Sequence, residues 1–263
     1  MEFEKQFIRK QTFRKIDRLT LHEKNGVVWI SFPLLDQFDF VVNAFSTRIG
    51  GVSEGYASAM NLSLSREVSG GLGNIGLRTD IPERDIWGSA ADGAAMKRFL
   101  ENHRRFADAV GYDLSDLVFS DQTHTDCVRE VTGKDRGNGI TRPNAFHDVD
   151  GLMTDQINVA LMTFYADCVP LYFVDPVHRA IGLSHSGWRG TVHKMGQATL
   201  DAMHERFGTE AKDVIAAVGP SICQDCYEVS GDVIEEFRAA FPETLHEKLF
   251  YGKSDGKYQL NLW

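Results

Sequence analysis

The feature that most constrains this chain is residues 161–191, where three short apolar runs alternate with polar turns. Short apolar runs that end at Gly, Pro or Asp residues are typical of buried β-strands. Asp167 and Cys168 follow the first run, and His185 follows the third in a glycine-flanked turn beside a Trp and an Arg. Because functional sites of α/β proteins are often built at strand ends, this stretch predicts a sheet with a reactive edge.

Helical and strand patterns alternate irregularly along the rest of the chain. Apolar residues recur at gaps of three and four over residues 95–110, which predicts an amphipathic helix that Gly111 ends. Two further helices are predicted over residues 192–207 and 230–241. Besides those in the central stretch, strands are predicted over residues 26–32, 38–45, 117–119, 128–131, 150–154 and 214–218. We therefore expect an α/β fold of the mixed α+β kind, in which residues 1–263 form a single domain with helices flanking a mixed β-sheet.

Composition and charge argue against several classes of partner. The formal net charge of −9 disfavours binding to nucleic acid, because phosphate contacts need a basic surface. No apolar run approaches the roughly 20 residues of a membrane span, and the charged N-terminus lacks the apolar core of a signal peptide. We therefore expect a cytoplasmic protein whose four cysteines are reduced thiols. The oligomeric state stays open.

His124, Cys168 and His185 are candidate metal ligands and catalytic residues, because each stands at the end of a predicted strand beside small or polar neighbours. Catalytic zinc commonly takes three protein ligands and leaves one position for water or substrate, and two His with one Cys is a reasonable set. A blue-copper site also uses two His and one Cys, so copper is the alternative metal. Two further interpretations stay open: a Cys168–His185 nucleophile–base pair of a cysteine hydrolase, and a buried cysteine with two structural histidines.

Several segments resemble one family in one order. They are FSTRIGGVS at 45–53, NL at 61–62, QTH at 122–124, ADCVP at 166–170, HSGWRG at 185–190, GPSI at 219–222 and CYEV at 226–229. They are similar to the laccase-domain (YfiH-type) family, once called polyphenol oxidases and now treated as purine nucleoside phosphorylases. The resemblance covers roughly residues 25–263.

The resemblance implies a YfiH-like single domain that binds one zinc ion through His124, Cys168 and His185. It implies phosphorolysis of adenosine, inosine and guanosine, cleavage of methylthioadenosine, and deamination of adenosine, with purine nucleosides and phosphate as small-molecule partners. The alternatives within this resemblance are an amidase acting on peptidoglycan precursors, a copper-dependent polyphenol oxidase, and a non-catalytic binding protein of the same fold. A multicopper laccase needs further histidine-rich clusters, which nine scattered histidines do not supply.

Four further residues are candidates for the site. Arg48 and Arg189 are candidate phosphate or ribose contacts, because a guanidinium can bind phosphate in a bidentate manner; the alternative is a salt bridge within the fold. Asn61, in one of the matching segments, is a candidate substrate contact. Asp167 is a candidate catalytic residue that positions a nucleophile or transfers a proton, or that only orients a metal ligand.

Two departures from the family pattern concern the surroundings of the site. The composition of residues 63–94 predicts a long loop or insertion. It is longer than the family's usual connection between the Asn-Leu segment and the first long helix, so we expect one wall of the pocket to differ from that of the family. The family continues beyond the segment that corresponds to residues 261–263 with a helix and a terminal segment carrying Cys and Arg. That C-terminal family segment is absent from this sequence, so the substrate contacts it makes are in question here.

Overall fold

This computed structural model describes residues 19–64, 67 and 93–263, and the elements with complete bounds there are thirteen strands, six α-helices and five short 3-10 helices. The strands are β1 (Thr20–Lys24), β2 (Val27–Ser31), β3 (Phe45–Ser46), β4 (Leu117–Phe119), β5 (Val128–Glu130), β6 (Gly151–Thr154), β7 (Ala160–Met162), β8 (Val169–Asp175), β9 (Ala180–Ser186), β10 (Ile215–Val218), β11 (Glu228–Val229), β12 (Phe250–Gly252) and β13 (Tyr258–Leu260). The α-helices are α1 (Pro33–Asp36), α2 (Gly93–Val110), α3 (Trp188–Val192), α4 (Met195–Phe207), α5 (Gly231–Ala240) and α6 (Glu243–Leu249).

The central sheet has five strands in the order β10-β8-β9-β6-β5. Its long hairpin pairs β8 with β9 from Val169 opposite Ser186 to Asp175 opposite Ala180. β6 pairs antiparallel with β9 and parallel with β5, so the sheet is mixed, as the sequence predicts. Helix α4 covers one face, where the fully buried Met203 packs in one cluster with residues of β6, β8 and β9.

Three smaller sheets surround the central one. β1, β2 and β3 form an antiparallel sheet, β12 and β11 flank β13 in another, and β4 pairs in parallel with β7. Helix α2 buries Phe99 against β4 and Phe106 against Val27 of β2. Helix α5 buries Phe237 in the same cluster as Val169 of β8, which ties the C-terminal sheet to the central one. Among the described helices, none has the length and apolar character needed to cross a membrane.

The structure differs from the sequence prediction in three respects. Residues 38–45 do not form a strand apart from Phe45–Ser46, because the apolar side chains there pack as a loop around Leu35. The helix predicted to begin at residue 192 begins at Met195 instead, since Lys194 has a left-handed backbone, with φ of 59°, and separates α3 from α4. The sequence patterns did not predict several short elements, namely α1, α3, α6, β1, β11, β12 and β13. Most of the loop predicted over residues 63–94 lies outside the described residues.

Candidate metal centre

Three side chains converge at one end of the central sheet. One ring nitrogen of His124, one of His185 and the sulfur of Cys168 all lie within 4.8 Å of one another. The Nε2 atom of His124 is 3.9 Å from the Cys168 Sγ atom, and the two imidazole rings meet edge to face with centroids 5.0 Å apart. The structure therefore brings together the three residues that the sequence proposes as ligands. No second group of three or more His, Cys, Asp or Glu side chains converges in this way within the described residues.

The sheet and one glycine position these side chains. Cys168 immediately precedes β8, and His185 lies on β9, the neighbouring strand. His124 lies in the connection between β4 and β5, where its backbone is left-handed, with φ of 69°. Gly187 lies beside both Cys168 and His124: a Cβ atom on it would stand 2.9 Å from the Sγ atom and 2.9 Å from the His124 Cδ2 atom. The close approach of the ligands therefore requires glycine at position 187.

Asp150, which the sequence pattern did not single out, joins the two histidines. Its buried carboxylate accepts a hydrogen bond from His185 Nδ1 at 2.8 Å and another from the His124 backbone nitrogen at 3.1 Å. It also accepts from the backbone nitrogens of Thr123 and Thr125. The one signal in the sequence is its place as an acidic residue directly before the buried strand β6.

The electrostatics of the site favour a bound cation. Burial raises the pKa of the Cys168 thiol to about 11, with further contributions from the carboxylates of Asp167 and Asp150. Burial, together with the neighbouring His185, lowers the pKa of His124. Burial opposes ionisation of Asp150, but the hydrogen bonds from His185 and Thr125 outweigh it and its pKa lies below the ordinary value. A cation among the three ligands would stabilise the thiolate, which the protein alone does not do.

The donor set fits a transition metal. Neutral imidazoles and a thiolate are the usual ligands of zinc, which takes four ligands in a tetrahedral arrangement and keeps one position open in catalytic sites. The same donors suit copper. His185 has the buried carboxylate partner that metal-ligating histidines typically have.

Arg189 and Asp167 lie near the three candidate ligands. Arg189 is exposed, stacks its guanidinium on the Trp188 ring at 4.3 Å from the centroid, and forms no ion pair with a carboxylate in the described part of the chain. Its positive charge contributes to the lowered pKa of His124. Asp167 is exposed and contributes to the raised pKa of Cys168, but it makes no hydrogen bond to the histidine ligands among the described contacts. Asp150 is the residue that makes those bonds.

Arg48 and Asn61 each make hydrogen bonds within the fold. Arg48 Nε donates to the carbonyl oxygen of Ser58 at 3.0 Å. Asn61 Nδ2 donates to a carboxylate oxygen of Glu67 at 2.9 Å, and Arg98 of α2 pairs with the other oxygen at 3.0 Å. The Asn61 amide thus hydrogen-bonds to a buried carboxylate within the protein, and its role in substrate binding stays a prediction.

This chain is similar to known proteins both in sequence and in structure. The family model described as multi-copper polyphenol oxidoreductase laccase matches residues 89–263. This chain belongs to that laccase-domain family. The crystal structure of the Bacillus licheniformis hypothetical protein YfiH superposes with a TM-score of 0.73 at 31% identity, covering 92% of this chain and 79% of that one. The YfiH structure confirms the mixed α/β fold.

Two curated relatives of the laccase-domain chain carry nucleoside-related names. Purine nucleoside phosphorylase YlmD of Bacillus subtilis (strain 168) is 34% identical over 200 residues, covering 76% of this chain and 63% of YlmD. Adenosine deaminase RL5, from an unknown prokaryotic organism, is 36% identical over 166 residues, covering 63% of this chain and 63% of RL5. The matched region thus spans 63% of the length of each relative.

Proposed function

We propose that this chain is a zinc-dependent enzyme of purine nucleosides. The proposed reactions are phosphorolysis of adenosine, inosine, guanosine and methylthioadenosine, and deamination of adenosine. The observation that carries the proposal is the convergence of His124, Cys168 and His185 within 4.8 Å, next to a guanidinium without a described carboxylate partner. The names of the two curated relatives support the substrate class.

His124, His185 and Cys168 would hold the metal. A zinc ion bound there would act as a Lewis acid and lower the pKa of a water molecule to about 7. The protein supplies the two imidazoles, one of them oriented by Asp150, and a thiol whose proton is displaced when a cation binds. Copper is the alternative metal, since it suits the same donors.

Arg189 is the proposed phosphate contact. Its guanidinium can donate hydrogen bonds to two phosphate oxygens, and stacking on Trp188 holds its plane. In phosphorolysis a phosphate oxygen bonds to the anomeric carbon of the ribose while the bond from that carbon to the purine nitrogen breaks. The purine takes both electrons of the broken bond and must then gain a proton. Asp167, exposed beside Cys168, is the proposed group for moving that proton, and Arg48 and Asn61 are proposed ribose contacts.

A cysteine-hydrolase mechanism is less consistent with the site. It requires a thiolate at neutral pH, whereas burial and two nearby carboxylates raise the pKa of Cys168 to about 11. The thiol is therefore protonated without a metal and is a weak nucleophile. The amidase, copper oxidase and non-catalytic alternatives differ from the proposal in their products, so product analysis separates them.

The test supplies purified, zinc-loaded protein with adenosine, with and without phosphate, and identifies the products by chromatography. We expect adenine and ribose 1-phosphate only when phosphate is present, and inosine when it is absent. With phosphate, the inosine that forms should be split in turn to hypoxanthine and ribose 1-phosphate. Cys226→Ala is the matched control, because Cys226 is outside the ligand group, and it should behave as the wild type. No product from any of the four purine nucleosides, with zinc bound, would overturn the proposal. Oxidation of a phenol by copper-loaded protein would favour the oxidase alternative.

A further inference from the structure

We propose that Asp150 is the positioning residue of this centre: one buried carboxylate fixes the ring of His185 and the backbone of His124 together, and metal affinity depends on its negative charge. The inference rests on the proposed function only in taking His124, Cys168 and His185 as ligands. Its tests measure metal binding and proton position, so they do not depend on which nucleoside, if any, is turned over.

The first line of support is the loop that carries His124. The backbone nitrogens of Thr123, His124 and Thr125 donate to the Asp150 carboxylate at 3.2, 3.1 and 2.8 Å. Successive backbone N–H groups around a left-handed residue form a concavity that binds anions, and His124 is that left-handed residue, with φ of 69°. Asp150 is the anion that occupies it. Because a non-glycine residue rarely adopts this backbone unaided, the place of His124 depends on the carboxylate.

The second line of support is the ring of His185. An ionised carboxylate can only accept, so the 2.8 Å contact with Asp150 places the imidazole proton on Nδ1. The Nε2 atom is then left with the lone pair that a metal needs. The backbone nitrogen of His185 also donates to the Asp150 carbonyl oxygen at 2.8 Å, so Asp150 binds this ligand at both its ring and its main chain.

The third line of support is that Asp150 lies outside the converging group and is not accessible to substrate. Its side chain is fully buried, and it is not part of the converging ligand group. Its neighbour Asp148 provides a matched comparison, because it is exposed, lies on the same segment and accepts from Thr123 Oγ1 at 2.7 Å. Asp148 hydrogen-bonds to the same loop but to neither imidazole among the described contacts.

Asp150→Asn is the main test variant. It replaces one carboxylate oxygen with an NH₂ group, which donates and cannot accept, so at least one of the donors facing Asp150 loses its partner. Removal of such a partner of a metal-bound histidine typically weakens metal binding about 10- to 100-fold. We expect a loss of that size in zinc affinity for Asp150→Asn, measured by competition with a chromophoric chelator. Asp148→Asn should bind zinc as the wild type does.

Two further measurements separate positioning from a general loss of structure. The visible spectrum of the cobalt-substituted protein reports ligand geometry, and it should change in Asp150→Asn and not in Asp148→Asn. The metal-free variants should keep the far-ultraviolet circular dichroism of the metal-free wild type. Wild-type zinc affinity in a folded Asp150→Asn variant would overturn the inference.

If Asp150→Asn fails to fold, the wild-type protein still decides the matter. Nitrogen-15 NMR of the histidine side chains, in metal-free and zinc-loaded protein, should find the His185 proton on Nδ1 in both. A proton on Nε2, or zinc bound through Nδ1, would overturn the inference. Normal zinc binding with the expected proton position, but without turnover of any nucleoside, would instead contradict only the proposed function.

Discussion

Gly187 lies so close to Cys168 that a Cβ atom on it would stand 2.9 Å from the Cys168 Sγ atom. The same atom would stand 2.9 Å from the Cδ2 atom of His124, which is closer than such atoms normally approach. Gly187→Ala must therefore push two of the three proposed ligands away from their positions. Because a metal site tolerates deviations of only about 0.2 Å in its ligand distances, we expect zinc affinity to fall on the order of tenfold or more.

The measurement is chelator competition on purified Gly187→Ala. Gly196→Ala is the matched control, because a Cβ atom there would meet only Leu171 Cδ1 at 3.8 Å, an ordinary contact. Gly196 lies in helix α4, where alanine is the better helix former, so this variant should keep its zinc affinity and unfold no more easily than the wild type. Equal zinc affinities of the Gly187→Ala variant and the wild type would show that the close approach is not needed.

Cys168→Ala is expected to lose zinc and activity together. Two histidines alone are a poor site for a metal that normally takes four ligands. A covalent-nucleophile role for Cys168 predicts a different result, in which the variant keeps bound metal and loses only turnover. Zinc content and turnover are measured on the same preparation. Cys223→Ala is the control, since Cys223 is half-buried but outside the ligand group.

Arg189→Ala is expected to weaken phosphate binding and leave zinc in place. A hydrogen bond to a charged group contributes about 1.5–3 kcal/mol, so the KM for phosphate should rise roughly 10- to 100-fold. The control is Arg206→Ala, because Arg206 is exposed and paired with Glu130 on β5. The KM values are measured at saturating nucleoside, with zinc content checked in parallel. An unchanged KM for phosphate would remove Arg189 from the site.

His103 predicts a pH dependence of stability that is separate from the metal centre. Burial among aromatic rings lowers its pKa to about 4, although a hydrogen bond to the Leu62 carbonyl oxygen opposes the shift. Its ordinary pKa is about 6.5, so the unfolded chain binds the proton first as the pH falls. The neutral His103 side chain therefore makes its full contribution to the free energy of unfolding above a pH of about 6.5. This contribution is lost as the pH falls towards about 4. The total loss is about 3 kcal/mol.

The check is the free energy of unfolding of metal-free protein at several pH values, from denaturant titrations. His103→Gln cannot be protonated but can still donate to Leu62, so its stability should fall less steeply than that of the wild type below pH of about 6.5. His193→Gln replaces an exposed histidine and should leave the wild-type slope unchanged. Identical slopes for the wild type and His103→Gln would contradict the prediction.

Local sequence patterns made His124, Cys168 and His185 candidate ligands, and the family resemblance selected the metal site among the alternatives that the patterns left open. Cys168 and His185 each follow an apolar run; Asp167 precedes Cys168, and Ser186 and Gly187 follow His185, so their place at strand ends is visible in a few residues. Asp150 has no comparable signature. Its importance comes from the pairing of β6 with β9, which brings it to His185 across 35 positions of sequence. Such long-range register is not encoded in any short window.

The same physical reason explains the errors in the fold. The apolar residues over 38–45 indicated a strand, but tertiary packing around Leu35 holds them as a loop, and tertiary packing routinely overrides local preference. The sequence did not predict the partner of Asn61, whose amide donates to Glu67 in a region where the sequence shows no periodicity, and its role in substrate binding stays a prediction. A buried carboxylate that braces two loops cannot be recognised before its partners are known.

The most direct test of the account returns zinc stepwise to metal-free protein and measures, in one titration, bound zinc and the phosphate-dependent release of adenine from adenosine. The three-ligand centre predicts that activity rises in proportion to bound zinc and saturates at one ion per chain. Turnover that persists in metal-free protein would contradict the account, as would a fully zinc-loaded protein that releases no adenine.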